Sequence, residues 1–295
     1  MKKAIVFLFT AIICLLSAKT ASAIAIYPAI FEYDTAKDKS ISDTFQIYNE
    51  SDKNLALEAE IENFTPKGEL GEQNFIPGFY GLAKWISLSK NKITLAPKEK
   101  KYISFKINPP LDAAPGSYSA GILWRESANK KEGISITSRV GAIILLTVDG
   151  DTMQKISLAE FSVSKNLFEK LPIDFIVRIA NEGNALVKPM GEIVIKNIFG
   201  KTEDVLEINS FGNALLPQSI RRFSPRWDSN KFFIGPFTAE LRAKYGATDK
   251  NEIKSKIKFW ILPWKMIILI FIAILAIYVF WIFTFGKIKK RLHKV

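Results

Sequence analysis

The chain has 295 residues, with 41 basic and 29 acidic side chains, a formal charge of +12, one cysteine and one histidine. Lys2, Lys3 and Lys19 near the start and five basic residues after Gly286 carry much of that charge; the rest, 33 basic against 29 acidic, is an ordinary surface balance and argues against a nucleic-acid partner. Cys14 and His293 both lie outside residues 24–262, so disulfide stapling, thiolate–zinc sites and Cys-His or Ser-His-Asp catalysis lack their residues there.

Met1-Lys2-Lys3, the apolar run Ala4 to Leu16 and the small residues Ala21-Ser22-Ala23 form the pattern of a secretory signal, residues 1–23, cleaved after Ala23. Thirteen apolar residues rise only about 20 Å as a helix, short of a hydrocarbon core of roughly 30 Å, so this segment makes a poor permanent anchor. Ile13, directly before Cys14, speaks against lipidation of that cysteine.

From Ile24 to Leu262 the pattern is one of short alternating segments broken by turn residues, which predicts an all-β region and no amphipathic helix. Strands are expected near Ile24–Phe31, Thr44–Tyr48, Leu55–Ile61, Lys92–Leu95, Lys101–Ile107, Gly116–Trp124 and Ser135–Val148. The stretch Thr65 to Lys84, with five glycine or proline residues between Gly68 and Gly81, shows no period and is expected to be a long surface loop. Its aromatics Phe75, Phe79 and Tyr80, with Trp85 just after, suit a contact surface in which Phe79 and Tyr80 are the candidate ligand-binding residues, or they pack down over the sandwich edge. Asp149-Gly150-Asp151 is the expected boundary, giving units at 24–150 and 151–262.

The second half predicts strands near Ile156–Val163, Ile173–Asn181, Leu186–Lys196, Val205–Ile208, Ser219–Phe223, Phe237–Tyr245 and Ile253–Trp260, again a sandwich-like count. Met266 to Phe285 is uncharged and free of Gly and Pro, the length a transmembrane helix needs. Trp260 and Trp264 before it, and Lys287, Lys289, Lys290 and Arg291 after it, are candidate membrane-interface residues. The basic tail 286–295 is expected in the cytoplasm and the region before the span outside, in a single-pass plasma-membrane arrangement. Because the second unit ends beside the span, it is expected close to the bilayer.

Trp85-Ile86-Ser87-Leu88, Ile93-Thr94-Leu95-Ala96-Pro97, Phe105-Lys106-Ile107-Asn108-Pro109 and Pro115-Gly116-Ser117-Tyr118 follow one another in the first half. This succession resembles the PapD-like, immunoglobulin-fold ectodomain of the WxL-interacting protein family of bacterial surface proteins. Asn181-Glu182-Gly183-Asn184 and Leu216-Pro217-Gln218-Ser219 look like parts of its second β-domain. The resemblance implies two tandem immunoglobulin-like sandwiches, peptidoglycan binding by the first, host or matrix contact by the second, and partner proteins that bear a WxL domain. Trp260-Ile261-Leu262 spells Trp-x-Leu, but its place beside the span suits an interfacial anchor.

Arg221, Arg222, Arg226 and Trp227 form the densest basic and aromatic cluster before the span. They suit a polyanion such as an anionic wall polymer, since guanidinium forks match phosphate and carboxylate. A strand with charged residues outward and Trp227 inward explains the same pattern. Glu58, Glu60 and Glu62 admit a carboxylate-pair reading, yet their spacing puts them on one solvated strand face. No catalytic residue, metal site or cofactor is expected. The sequence therefore points to a non-enzymatic surface protein with a wall polymer or another surface protein as partner; the alternative is a membrane-tethered assembly factor working by strand addition.

Overall fold

A computed structural model describes residues 24–127, 139–246 and 251–292, with side chains as far as Trp281. The expected signal, 1–23, lies outside these residues. The chain divides into two compact units, one of residues up to 67 and 72–153, the other of residues 68–71 and from 154 onward. Each is an immunoglobulin-like β-sandwich, and one apolar helix follows the second.

The first unit contains β1 (Ile24–Tyr27), β2 (Ile30–Thr35), β3 (Ile41–Asn49), β4 (Leu55–Lys67), β5 (Glu72–Pro77), the short helix α1 (Gly81–Trp85), β6 (Ile86–Leu88), β7 (Lys92–Leu95), β8 (Lys100–Ile107), β9 (Gly116–Glu126) and β10 (Arg139–Val148). One sheet runs β1-β3-β8-β6 and the other β2-β10-β9-β4-β5, with β7 also beside β4. Period-two alternation decides what faces inward: in β8, Ile103, Phe105 and Ile107 are buried while Tyr102 and Lys106 point out. Trp124, Phe45 and Phe105 anchor the core between the sheets.

Two expectations are corrected here. The single strand expected over Ile24–Phe31 is two strands in different sheets: β1 pairs antiparallel with β3, and β2 pairs parallel with β10. Pro28, which has no N–H to give a ladder, stands at the changeover. The loop expected over Thr65–Lys84 is instead a hairpin of β4 and β5 followed by α1. Its β-character comes from pairing that a linear pattern does not display, notably Phe64 opposite Phe75 with ring centroids 5.6 Å apart.

The second unit contains β11 (Ile156–Val163), β12 (Leu167–Phe168), β13 (Ile173–Asn181), β14 (Met190–Asn197), β15 (Thr202–Ile208), β16 (Ser219–Phe223), β17 (Arg226–Trp227), β18 (Gly235–Tyr245) and β19 (Asn251–Ile261). One sheet is β11-β13-β16 with β17 beside β13; the other is β12-β19-β18-β14-β15. The parallel start-to-end pairing recurs, here between β12 and β19. Trp227, Phe175, Phe237 and Phe259 form the aromatic centre of this core, with Trp227 and Phe237 centroids 5.5 Å apart. β14 begins later than expected, and Val187 makes only an isolated bridge to Leu215.

The helix α2 spans Trp264–Leu292. Its stretch Trp264–Trp281 has mean hydropathy 2.4 with no residue buried, which makes it long and apolar enough to cross a membrane. The helix runs past the expected limit at Phe285, so the expected tail begins as helical backbone.

A buried asparagine ends the equivalent strand in each unit. Asn49 donates to the carbonyls of Lys53 (2.7 Å) and Ala96 (2.9 Å), and its Oδ1 accepts from the Ser51 N–H (2.9 Å). Asn181 donates to Ala185 (2.9 Å) and Leu215 (3.0 Å) and accepts from Gly183 N–H (2.9 Å). Asn181→Ala leaves the Ala185 carbonyl and the Gly183 N–H without their partner and the Leu215 carbonyl with the Val187 N–H alone, so it is expected to cost the second unit about 1–3 kcal/mol, read as a lower urea midpoint of the detergent-solubilised chain.

Several carboxylates of the second unit are held below the ordinary value of 4.5: Glu182 by hydrogen bonds from Lys155 and Ser157, Glu160 by Ser162 and then Arg178, and Glu240 by Lys196. A lowered folded-state pKa contributes stability above the unfolded value and loses it as pH falls through the folded one. The thermal midpoint of this unit is therefore expected to fall as the pH is taken below the ordinary carboxylate value of 4.5. A flat profile in scanning calorimetry below that value is the contrary result.

Candidate functional site

A concave site in the first unit is assembled around α1. Gly78 presses against β4 so closely that a Cβ would stand 2.2 Å from the Ile61 carbonyl oxygen, which excludes any side chain there. The chain then turns outward through Phe79 and Tyr80. α1 has no side-chain cap of its own. Asn63 on β4 takes that role from across the fold: its amide donates to the Tyr80 carbonyl (2.7 Å) and its Oδ1 accepts from the Ala83 N–H (2.9 Å). Leu82 and Ala83 enter the core and fix the helix, so Phe79 and Tyr80 remain 85% and 57% exposed.

The opposite wall comes from residues before and within β9. The Trp85 and Tyr118 rings lie 4.7 Å apart at 59°. The Tyr118 hydroxyl donates to the Ala114 carbonyl (2.8 Å), and burial raises its pKa. Asn108 is held twice, its N–H donating to the Trp85 carbonyl (2.9 Å) and its Oδ1 accepting from Ser40 (2.8 Å). The result is an open groove of about 670 Å³, with Phe79, Tyr80, Trp85 and Tyr118 as aromatic surfaces and Lys84, Asn108 and Asp112 as polar groups. Aromatic faces with a few fixed donors and acceptors suit a flat, hydroxyl-bearing ligand better than a highly charged one.

The basic cluster of the second unit is divided by its strand geometry. Trp227 is fully buried, packed on Phe233 and Phe237, with its ring in the core. Arg221 is half-buried and donates to the Ala214 carbonyl (2.9 Å). Arg222 and Arg226 face solvent, and Arg226 stands 3.9 Å from both Asp174 and Asp228. A ligand approaching this segment therefore meets Arg222 and Arg226, not the four residues together.

Glu58, Glu60 and Glu62 lie along one face of β4 in an ion-pair ladder, with Lys92–Glu58 at 3.0 Å, Arg125–Glu60 at 2.8 Å and Arg139–Glu62 at 3.1 Å. Among the described residues no group of three His, Cys, Asp or Glu side chains is placed to hold a metal. Trp260 and Trp264 flank the start of α2, 51% and 47% exposed. Lys287, Lys289, Lys290 and Arg291 fall on the continuation of α2, and their side chains lie outside the described residues.

Sequence reasoning singled out Phe79 and Tyr80 as candidates but not Asn63, which caps α1 directly after them. The available signal was an asparagine inside a strand pattern, where its β-propensity is poor, followed by Gly78 and Gly81. Asn63→Ala removes one bond to a buried backbone N–H and one to a part-buried carbonyl and is expected to cost the first unit about 1–3 kcal/mol. Urea denaturation of the full chain in detergent checks this, and an unchanged midpoint shows that Leu82 and Ala83 hold α1 without it.

No family model matches the chain, and no curated protein matches it. Solved structures similar to it include the class 5 fimbriae chaperone CfaA, at 12% identity over 79% of this chain and 98% of that one, TM-score 0.42. The Salmonella enterica SafA pilin–SafB chaperone complex matches at 8% identity over 83% and 99%, TM-score 0.40. The Pseudomonas aeruginosa CupB2 chaperone matches at 10% identity over 80% and 100%, TM-score 0.39. Likeness at this level carries no argument about what the chain binds.

Proposed function

We propose that this chain is a non-enzymatic, membrane-anchored surface protein of the WxL-interacting type, whose first unit binds a glycan strand of the cell wall in the groove beside α1. The observation that carries the reading is the groove itself. Phe79 and Tyr80 stay exposed on a backbone that Gly78, Asn63, Leu82 and Ala83 hold in place, opposite the Trp85–Tyr118 pair. Exposing large aromatics on a fixed backbone costs solvation and suits a contact surface. Sugar rings offer C–H faces to such aromatics and hydroxyls to Asn108 and Asp112.

Retention of the full chain on purified wall sacculi tests this directly. Phe79→Ala together with Tyr80→Ala is expected to weaken retention by about tenfold or more, a loss of the size that buried aromatic anchors contribute. Equal retention of the double variant, or none by the parent chain, sinks the reading. The arrangement in the membrane is tested separately with a C-terminal tag on intact cells. External protease is expected to leave a small tagged fragment containing α2, whereas a protected sandwich region argues for the opposite orientation.

A second reading, strand addition, rests on one feature. β10 pairs with β9 along Arg139–Val148 but with β2 only from Ile143, so Arg139–Ala142 has a strand on one side alone among the described residues. Such an edge accepts a further strand. The two readings part on a single comparison: wall retention needs no other protein, whereas strand addition needs a co-purifying chain hydrogen-bonded along 139–142.

A further inference from the structure

The junction between the second unit and α2 has no slack. β19 ends at Ile261, and only Leu262 and Pro263 precede the helix. The Trp260 N–H donates to the Asn166 carbonyl (2.8 Å) and the Leu262 N–H to the Phe168 carbonyl (2.7 Å), fastening the strand end to the β12 region. Across the break, Lys265 in the first turn of α2 pairs with Glu169 at 2.8 Å. Where α2 enters a membrane, the orientation of this unit toward the lipid is therefore set by folded structure and not by a linker.

The face that β19 carries to this junction is basic. Phe259 and Ile261 turn inward, while Lys254, Lys256, Lys258 and Trp260 lie exposed on one face. Beside them on β18, Arg242 opposite Lys254 and Lys244 opposite Glu252 add to the same face. Its acids on these two strands are engaged: Glu252 pairs with Lys254 at 2.7 Å, and Glu240 with Lys196 at 2.7 Å and Arg242 at 3.3 Å. Lys256 stands opposite Glu240 and adds to the positive charge that lowers its pKa, and Lys258 stands opposite Thr238.

Lysines on the part of β19 before Trp260, which has β18 alone beside it among the described residues, also keep foreign strands away. That role asks only for scattered charge, whereas here three lysines occupy every second position on one face and the row ends in exposed indoles at Trp260 and Trp264. Indole rings prefer the headgroup level, which marks where the lipid surface lies. Strand geometry puts Lys258, Lys256 and Lys254 about 7, 13 and 20 Å along the strand from Trp260. With charge screened over about 8 Å, an upright β19 would leave Lys256 and Lys254 beyond the pull of the headgroups, whereas a reclining one engages all three.

We propose that the outward face of β18 and β19 docks on the anionic phospholipid headgroups of the membrane that α2 crosses, so that the second unit lies down on the bilayer. The inference rests on reading α2 as a membrane span. Basic side chains near an anionic leaflet are attracted to it, and the indole-to-lysine row supplies both parts of an interfacial contact.

The test compares acetylation rates of Lys254, Lys256 and Lys258 by mass spectrometry, in the full chain reconstituted into nanodiscs of phosphatidylcholine alone or with about 30% phosphatidylglycerol. Exposed Lys37 and Lys90 of the first unit serve as internal references. The expected result is a slowing of at least about threefold at all three lysines in the anionic discs, relieved at about 0.5 M salt. Equal rates in the two discs overturn the proposal, as does slowing at Lys258 alone, which is the signature of an upright strand. Slowing by a soluble polyglycerol phosphate with no effect of phosphatidylglycerol also overturns it, in favour of a free polymer ligand. Failure of the chain to enter either disc tells against the span, and the docking reading falls with it; entry without lipid-dependent protection leaves the span standing and removes the docking alone.

Discussion

Both sandwiches depend on an asparagine amide buried where a strand ends and the chain must turn. At Asn49 and at Asn181 the same geometry recurs: the side-chain oxygen accepts the N–H two residues on, and the NH₂ donates to the carbonyl four residues on and to a carbonyl from another part of the unit. Without the amide the Ser51 and Gly183 N–H groups and the Ala185 carbonyl would lose their partner, while the Ala96 and Leu215 carbonyls would keep only the backbone N–H of Glu99 and of Val187, a cost that is a sizeable part of a domain's net stability. Cys14, the sole cysteine, lies ahead of both units, so these polar clasps and the two apolar cores hold the strands without covalent help.

A frame closed in this way can present side chains that a less rigid structure could not afford. In the first unit the core takes Leu82 and Ala83 from α1 and leaves Phe79 and Tyr80 outside. Asn63 then substitutes for a missing helix cap from the neighbouring strand, so the exposed aromatics stand on backbone that is hydrogen-bonded and packed. Pre-organisation of that sort lowers the freedom that any contact with these aromatics would have to remove.

At the other end of the chain the second unit has a different constraint. Its last strand is central to the sandwich at Phe259 and Ile261, yet continues almost directly into an apolar helix. The hydrogen bonds at Trp260 and Leu262 and the Lys265–Glu169 pair join the two. The exposed lysine row of β19 is thereby given a fixed position relative to α2.

Much of this was legible in the linear chain. Period-two alternation in segments such as Lys101–Ile107 and the uncharged run from Met266 are local signals, and they determined the all-β character, the two sandwiches and the apolar helix. Phe79 and Tyr80 stood out because aromatics in a glycine-rich stretch have no periodic partner. The tertiary structure decided what depends on distant partners: the splitting of the first strand between two sheets, the β4–β5 hairpin closed by Phe64 and Phe75, the Trp85–Tyr118 wall of the groove, and the inward turn of Trp227 that separates it from Arg222 and Arg226. Alternation tells which residues share a face, but the face that turns inward, and what it meets there, is chosen by strands remote in sequence.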